Sequence, residues 1–135
     1  MQTVKKLTNC FLIDDDEDDY EIFRLALNEI DPSIVLHYAY NGYEALKQLN
    51  GDHHLIPNFI FIDWNMPKMN GKQTLKFLKS SDRYSKIPTV VYSTYADTNL
   101  IIDCKRLGAL MVAVKPIDHE GYQKMMNDFL KVFSR

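Results

Sequence analysis

The stretch from Phe59 to Gly71, which reads FIFIDWNMPKMNG, constrains the fold of this chain more than any other. It opens with an apolar run of strand length, which is typical of a strand buried on both faces of a sheet. The run closes on Asp63, and a loop rich in asparagine, proline and glycine follows. A carboxylate at the end of a buried strand is costly unless a charged group lies beside it. The stretch therefore predicts a strand that carries Asp63 to the crevice where open α/β sheets bind ligands.

Length, charge and hydropathy indicate one soluble domain. The chain has 135 residues, and we expect a single domain over residues 1–135 without linker or repeat. Hydrophobic residues make up 46%, enough for one core, and the formal net charge of −2 gives no electrostatic argument for binding nucleic acid or an anionic membrane. No apolar run approaches the roughly 18 residues that span a bilayer, and the N-terminus lacks the features of a signal peptide.

The two cysteines, Cys10 and Cys104, do not resemble a disulfide framework. We interpret each as a small buried hydrophobe rather than a reactive thiol. We therefore expect a reducing, cytoplasmic setting.

Strand-like and helix-like segments alternate along the chain. The predicted strands are Cys10–Ile13, Ile34–Tyr40, Phe59–Ile62, Thr89–Ser93 and Leu110–Val114. The predicted helices are Tyr20–Ile30, Tyr43–Leu49, a third after Gly71 that ends near Ser80-Ser81-Asp82, a fourth around Leu100–Leu107 closed by Gly108, and a last from about Asp118 to Phe133. This alternation predicts an α/β fold with a doubly wound, five-stranded parallel sheet and helices on both faces. Right-handed crossovers then place the carboxyl ends of all the strands at one edge.

Acidic, hydroxyl and basic side chains stand where four of these strands end. In strand order they are Asp14 and Asp15, then Asp63, then Ser93 with Thr94, and finally Lys115. Three neighbouring carboxylates would raise one another's pKa values, and a hard divalent cation relieves this repulsion. Mg²⁺ prefers oxygen ligands and keeps several waters, whose positions can be taken by phosphate oxygens. The pattern therefore predicts a magnesium site that can hold a phosphate group.

The remaining side chains at this edge suit phosphoryl transfer. Lys115 would supply a point charge and Ser93 a hydrogen-bond donor to phosphate oxygens. Asp63, held beside Mg²⁺ and a lysine, would be a suitable nucleophile for a phosphoryl group. Positioning and charge stabilisation do most of the catalysis in such reactions.

Each feature also has an ordinary structural interpretation when it is taken alone. The run Asp14–Asp19 can be the solvated start of a helix, Lys115-Pro116 a strand exit and Ser93-Thr94 a turn. The functional interpretation depends on their combination, because each stands at the end of a buried strand. Trp64, beside Asp63, either shapes access to the site or packs its loop.

Four motifs resemble the receiver domain of two-component response regulators: FLIDD at 11–15, DWNMPKMNG at 63–71, the hydroxyl at Ser93 and the KP pair at 115–116. The resemblance covers almost the whole chain. It implies a flavodoxin-like sheet with strand order 2-1-3-4-5 and five helices. Because the sequence stops after one domain, at Arg135, we expect a receiver without an output domain.

The resemblance further implies roles for single residues. Asp63 resembles the phosphoacceptor, Ser93 the switch hydroxyl, and Lys115 the lysine that pairs with the phosphoryl group. The implied cofactor is Mg²⁺, with ligands from Asp14, Asp15, Asp63 and the backbone carbonyl of Asn65. The family's pattern makes Asp15 the direct ligand and lets Asp14 act through water. Asp16 is the alternative in this acidic run, although the apolar strand ends at Ile13.

Two details concern the lysine and its surroundings. By analogy with the family, the Lys115–Pro116 bond would be cis and would aim the lysine inward. Receivers commonly carry an aromatic residue three positions before the lysine, but here that position is Val112. The usual tyrosine-type switch therefore cannot operate there, and Tyr95 is an alternative aromatic lever.

Three other functions share parts of this pattern. A hydrolase of the haloacid dehalogenase type would need a second acid two residues after Asp63, where Asn65 stands. A flavodoxin would need a loop rich in Gly, Ser and Thr after the first strand, whereas the acidic run would repel phosphate. A degenerate receiver would bind partners without phosphorylation, and the retained acids, hydroxyl and lysine argue against it.

The resemblance implies a sensor histidine kinase or a phosphotransfer protein as phosphodonor, and an unidentified downstream protein. Output would follow from protein–protein contacts, or the phosphate would pass along a relay. We expect no enzymatic activity beyond self-catalysed phosphoryl transfer and autodephosphorylation. We expect neither nucleic acid nor a membrane as partner, and a monomer or a phosphorylation-dependent dimer.

Overall fold

The fold is seen in a computed structural model that describes residues 9–51, 56–66 and 68–133. Residues 1–8, 52–55, 67 and 134–135 lie outside the described residues. No described helix has both the length and the apolar character needed to cross a membrane.

Five strands and five helices alternate through the described chain. The strands are β1 (Asn9–Ile13), β2 (Val35–Ala39), β3 (Phe59–Asp63), β4 (Thr89–Ser93) and β5 (Met111–Val114). The helices are α1 (Glu17–Ile30), α2 (Gly42–Gly51), α3 (Gly71–Ser80), α4 (Thr98–Arg106) and α5 (His119–Phe133). All neighbouring strands pair in parallel, in the order β2-β1-β3-β4-β5. The predicted doubly wound fold is confirmed.

The central strand β3 is buried along its whole length and serves both faces of the sheet. Ile60 and Ile62 pack into a core with α2, α3 and α4, whereas Phe59 and Phe61 pack into a second core with α1 and α5. This division follows from the alternation of side chains along a strand. Apolar residues pack on both sides of β3 and hold the strand in place. Asp63, at the end of this strand, therefore has a fixed position at the sheet edge.

Helix α1 begins three residues earlier than its apolar spacing predicts. The Asp16 side chain is the N-cap and accepts hydrogen bonds from the backbone N–H groups of Asp18 and Asp19. Acidic residues in the first turn also suit the positive end of the helix dipole. The acidic run is therefore divided between two structures, with Asp14 and Asp15 at the strand end and Asp16 at the helix cap.

Both cysteines are buried, free thiols, as expected for small apolar side chains. They lie on opposite faces of the sheet, Cys10 in the core beneath α1 and α5, and Cys104 in the core beneath α2, α3 and α4. At the end of α4, Gly108 adopts φ 109°, a left-handed conformation that favours glycine.

Candidate functional site

The carboxyl edge of the sheet brings together the residues that the sequence singled out. Asp14 follows β1, Asp63 and Ser93 end β3 and β4, and Lys115 follows β5. The side chains of Asp14, Asp63 and Ser93 are buried, whereas Asp15 is exposed. The parallel arrangement thus brings four positions that are distant in sequence into one acidic pocket, and Asp15 lies on its exposed side.

Three carboxylates of the pocket form a group suited to a metal ion. One oxygen from each of Asp14, Asp15 and Asp63 lies within 4.8 Å of the others. A set of hard oxygen donors, two of them buried and one exposed, fits the preferences of Mg²⁺, which binds through few carboxylates and keeps waters. The donor chemistry therefore fits the cation that the family resemblance implies.

The carboxyl of Asp63 has an unusual environment for an aspartate. Burial, followed by the negative charge of Asp14, raises the pKa of Asp63 to about 7. The backbone N–H of Asn65 donates to Asp63 Oδ1 at 3.1 Å, and Lys115 Nζ donates to Asp63 Oδ2 at 3.2 Å. These two donors oppose the effect of burial without cancelling it.

Asp14 is held in place by two donors. The backbone N–H of Asp16 lies 2.9 Å from Asp14 Oδ1, and the Tyr92 hydroxyl donates to Asp14 Oδ2. Burial raises the pKa of Asp14 above its ordinary value, and the hydrogen bonds from Tyr92 and Asp16 offset this effect only in part. Both oxygens of this buried carboxylate therefore have a donor before any cation binds.

Lys115 is the cation of the pocket, and three carboxylates surround it. Its Nζ lies 2.7 Å from Asp19 Oδ2, 3.2 Å from Asp63 Oδ2 and 3.5 Å from Asp14 Oδ1. Burial works to lower the pKa of Lys115, but the hydrogen bond with Asp19 and the charges of Asp14 and Asp63 outweigh it and hold the pKa above its ordinary value. The ammonium also lies 5.5 Å from the centre of the Tyr92 ring.

The prediction of a cis Lys115–Pro116 bond is wrong, because the described chain contains no cis peptide bond. Lys115 faces inward all the same, since it is held by the three carboxylates. Val112, at the position where receivers commonly carry an aromatic, is half-buried against the core beneath α4.

The Ser93 hydroxyl bridges two loops at the pocket. Ser93 Oγ lies 3.0 Å from Asn65 Oδ1 and 3.1 Å from the carbonyl oxygen of Tyr95, so its single proton serves one of these acceptors at a time. The backbone N–H of Tyr95 donates to Ser93 Oγ at 3.3 Å. The Tyr95 side chain is 73% exposed. The hydroxyl therefore connects the loop after Asp63 with the loop that leads into α4.

The loop after Asp63 is fixed by close packing. A Cβ on Gly71 would lie 2.6 Å from the Cα of Trp64 and 2.9 Å from the carbonyl oxygen of Asp63, so no larger residue fits without moving the backbone. Trp64 is half-buried against the core, and its backbone N–H donates to the carbonyl of Tyr92 at 2.9 Å. Asn70 caps α3 in a reciprocal pair with Gln73. The packing role proposed for Trp64 is thus confirmed, whereas a role in access stays a prediction.

Two residues of the site were missed in the sequence. Tyr92 was assigned only to the fourth strand, and Asp19 only to the acidic run. Asp19 offered one signal, namely its place in the first turn of a helix that follows the acidic strand end. Tyr92 offered none, because its contact with Asp14 joins residues 78 positions apart.

Comparisons with known proteins agree with this geometry. Residues 10–127 match the family described as response regulator receiver domain. The chain is 30% identical over 105 residues to the chemotaxis protein CheY1 of Helicobacter pylori, covering 78% of this chain and 82% of that protein. It is 28% identical over 120 residues to the sporulation initiation phosphotransferase F of Bacillus subtilis, covering 87% of this chain and 92% of that protein.

A solved structure shows the same fold. The phosphorylated cyanobacterial phytochrome response regulator RcpA superimposes with a TM-score of 0.83 at 22% identity, over 93% of each chain. Other relatives are longer: the chain spans 21% of a protein-glutamate methylesterase/protein-glutamine glutaminase of Bacillus licheniformis and 35% of one from Vibrio vulnificus. In both, only the matched part is comparable with this chain.

Proposed function

The chain belongs to the response regulator receiver domain family, and we propose that it is a phospho-accepting signalling switch with Asp63 as its acceptor. The donor is a phosphohistidine of a sensor kinase or of a phosphotransfer protein. The bond from phosphorus to the histidine nitrogen breaks while a bond to a carboxylate oxygen of Asp63 forms, and the electron pair stays with the histidine. The observation that carries this proposal is the buried Asp63 carboxylate, which lies in a group of three and beside an ammonium.

The cofactor of this reaction is Mg²⁺, with ligands from Asp14, Asp15, Asp63 and the backbone carbonyl of Asn65. When bound, it supplies positive charge that offsets the repulsion among the carboxylates and the phosphoryl oxygens. Lys115 contributes a second positive charge, since its Nζ already lies 3.2 Å from Asp63 Oδ2. Asp63 is thereby oriented, with one oxygen held by Lys115 and the other by the Asn65 N–H.

The switch begins at Ser93. A phosphoryl group on Asp63 offers the Ser93 hydroxyl a charged acceptor, which is a stronger partner than the amide oxygen of Asn65. Because the Tyr95 N–H donates to Ser93 Oγ, a turn of this hydroxyl moves the backbone that leads into α4. The loop after β4 and the surface of α4, β5 and α5 would then change, and a downstream protein would read that change in the cytoplasm.

The degenerate receiver, which binds without phosphorylation, is not favoured. Binding alone does not require Asp14 and Asp63, two buried carboxylates that repel each other at the carboxyl edge of the sheet. A hydrolase of the dehalogenase type is disfavoured too, because the side chain of Asn65 serves as a hydrogen-bond acceptor for Ser93 and carries no acidic proton.

The fluorescence of Trp64 provides the experiment. It is the single tryptophan of the chain and follows Asp63 directly, so a phosphoryl group there changes its surroundings. Adding acetyl phosphate to the protein with Mg²⁺ should change the emission in a single exponential phase, and adding EDTA beforehand should abolish the change. An emission that does not respond to acetyl phosphate or to a phosphohistidine donor would contradict the proposal.

A further inference from the structure

We propose that Asp19 is a positioning residue that keeps Lys115 at the pocket while Asp14 and Asp63 serve the metal ion. The inference rests on the proposed phospho-accepting function and gives a part to a residue outside the candidate metal site. Lys115 makes ion pairs with Asp14, Asp19 and Asp63. Among its three carboxylate partners, Asp19 makes the shortest contact, at 2.7 Å.

The other two partners of Lys115 are shared with the candidate metal site. Asp14 and Asp63 belong to the group of carboxylates whose oxygens lie within 4.8 Å of one another, and Asp19 does not. A divalent cation that enters this group attracts the same oxygens as the ammonium and repels the ammonium itself. Lys115 therefore needs an anchor outside the metal site if it is to remain beside Asp63.

The position of Asp19 suits this task. It lies in the first turn of α1, where its backbone N–H donates to Asp16 Oδ1 at 3.1 Å. The Lys115 and Asp19 side chains are 12% and 22% exposed, so water screens their ion pair only in part. A fixed backbone and a half-buried carboxylate hold the ammonium within reach of a phosphoryl group on Asp63.

The chain offers a matched control for the charge of Asp19. Asp18 is the preceding residue, lies in the same helical turn and is exposed. Among the described residues, its side chain makes no ion pair with Lys115. Asp18→Asn therefore removes one negative charge at the start of α1 and leaves the Lys115–Asp19 ion pair in place. Asp19→Glu keeps the negative charge on a longer side chain.

The first test is the rate of phosphorylation by acetyl phosphate at saturating Mg²⁺, followed through Trp64. We expect Asp19→Asn to react about tenfold more slowly than the wild type, because Lys115 is no longer positioned. Asp18→Asn should stay within about twofold, as is usual for an exposed charge. Asp19→Glu should recover most of the rate. Equal rates in Asp19→Asn and Asp18→Asn would overturn the inference.

The second test uses thermal unfolding and needs no phosphodonor. Asp19→Asn should lower Tm more with Mg²⁺ than in EDTA, because the metal competes with Lys115 for the oxygens of Asp14 and Asp63 and the ammonium then depends more on Asp19. In the Lys115→Met background this loss should shrink, since the two side chains act as a pair. A loss of the same size in both backgrounds would show that Asp19 stabilises the protein through groups other than Lys115 and would refute the inference.

Failure of the inference can be told apart from failure of the proposed function. A wild type that accepts no phosphoryl group contradicts the proposed function and, with it, the role of Asp19. If the wild type is phosphorylated at the same rate as Asp19→Asn, the proposed function stands and only the positioning role of Asp19 is contradicted.

Discussion

The hydroxyl of Tyr92, near the end of β4, donates a hydrogen bond to the buried carboxylate of Asp14, 78 residues earlier in the chain. The same tyrosine ring faces the ammonium of Lys115. Burial, and after it the charge of Asp14, raises the pKa of Tyr92 far above its ordinary value, so the hydroxyl remains a donor. Tyr92 therefore supports the pocket from within the core.

Removing this donor should destabilise the protein. Tyr92→Phe leaves Asp14 Oδ2 buried without its hydroxyl partner, which typically costs about 1–3 kcal/mol. The measurement is the free energy of unfolding by urea in metal-free buffer at pH 7.5. Tyr84→Phe is the matched control, because Tyr84 is also buried but its hydroxyl lies 3.5 Å from its acceptor. Equal losses in the two variants would show that the Tyr92 hydrogen bond contributes nothing.

The stability of the metal-free protein should depend on pH through Asp63. Burial and then the charge of Asp14 raise its pKa to about 7 in the folded protein, whereas an aspartate in an unfolded chain titrates near about 3.9. The folded state thus holds a proton that the unfolded state has lost. The cost of ionising Asp63 is absent below about pH 4, grows as pH rises and is complete above about pH 7.

Asp63→Asn, which cannot ionise, should therefore be more stable than the wild type at pH 8 in EDTA, by up to about 4 kcal/mol. The gap should close as pH falls toward 4. Adding Mg²⁺ at pH 8 should stabilise the wild type and leave the variant nearly unchanged. Urea unfolding across this pH range measures the gap, and a gap that does not change with pH would contradict the raised pKa of Asp63.

Gly71 should tolerate no side chain. The Cβ of Gly71→Ala would meet backbone atoms of Trp64 and Asp63 at 2.6 and 2.9 Å, so the loop must move, and we expect a loss of about 1–3 kcal/mol and slower phosphorylation. Gly51→Ala is the control, because no atom of the described residues lies within 4 Å of its Cβ, and a helical alanine is favoured by up to about 1 kcal/mol. A Gly71→Ala variant as stable as Gly51→Ala would disprove the close packing.

Tyr95 should slow the loss of phosphate. The backbone N–H of Tyr95 donates to Ser93 Oγ, and the Tyr95 side chain is exposed in the loop beside the pocket. There it can hinder the water that attacks the aspartyl phosphate. Tyr95→Ala should lose its phosphoryl group faster than the wild type, by about two- to tenfold. Tyr95→Phe retains the ring and should match the wild type. Decay of the phosphorylated protein is followed by intact mass, and equal or faster decay in the wild type than in Tyr95→Ala refutes this role.

The sequence was a good guide to the fold because its signals are local and repeated. Each buried strand is a short apolar run, and in β3 the residues Phe59 to Ile62 fill both cores of the sheet. The positions of Asp63 and Lys115 followed from the rule that parallel strands end at one edge. The predicted start of α1, Tyr20, lies three residues after the observed start, because the spacing of apolar residues carries no information about a polar N-cap such as Asp16.

The missed features depend on directions of side chains that spacing does not determine. Asp19 turns back from the first turn of α1 to reach Lys115, and Tyr92 reaches Asp14 through the core. Neither contact is marked by a pattern in the neighbouring sequence. The trans Lys115–Pro116 bond was missed for another reason, since that expectation came from the family rather than from residues of this chain.

In the proposed function, Asp63 accepts a phosphoryl group with the help of Mg²⁺. Its most direct test is intact mass after incubation with acetyl phosphate, with the wild type compared with Asp63→Asn. We expect one added phosphoryl group on the wild type, none on Asp63→Asn and none on the wild type in EDTA. An adduct of equal yield on Asp63→Asn, or no adduct on the wild type from acetyl phosphate or a phosphohistidine donor, would contradict it.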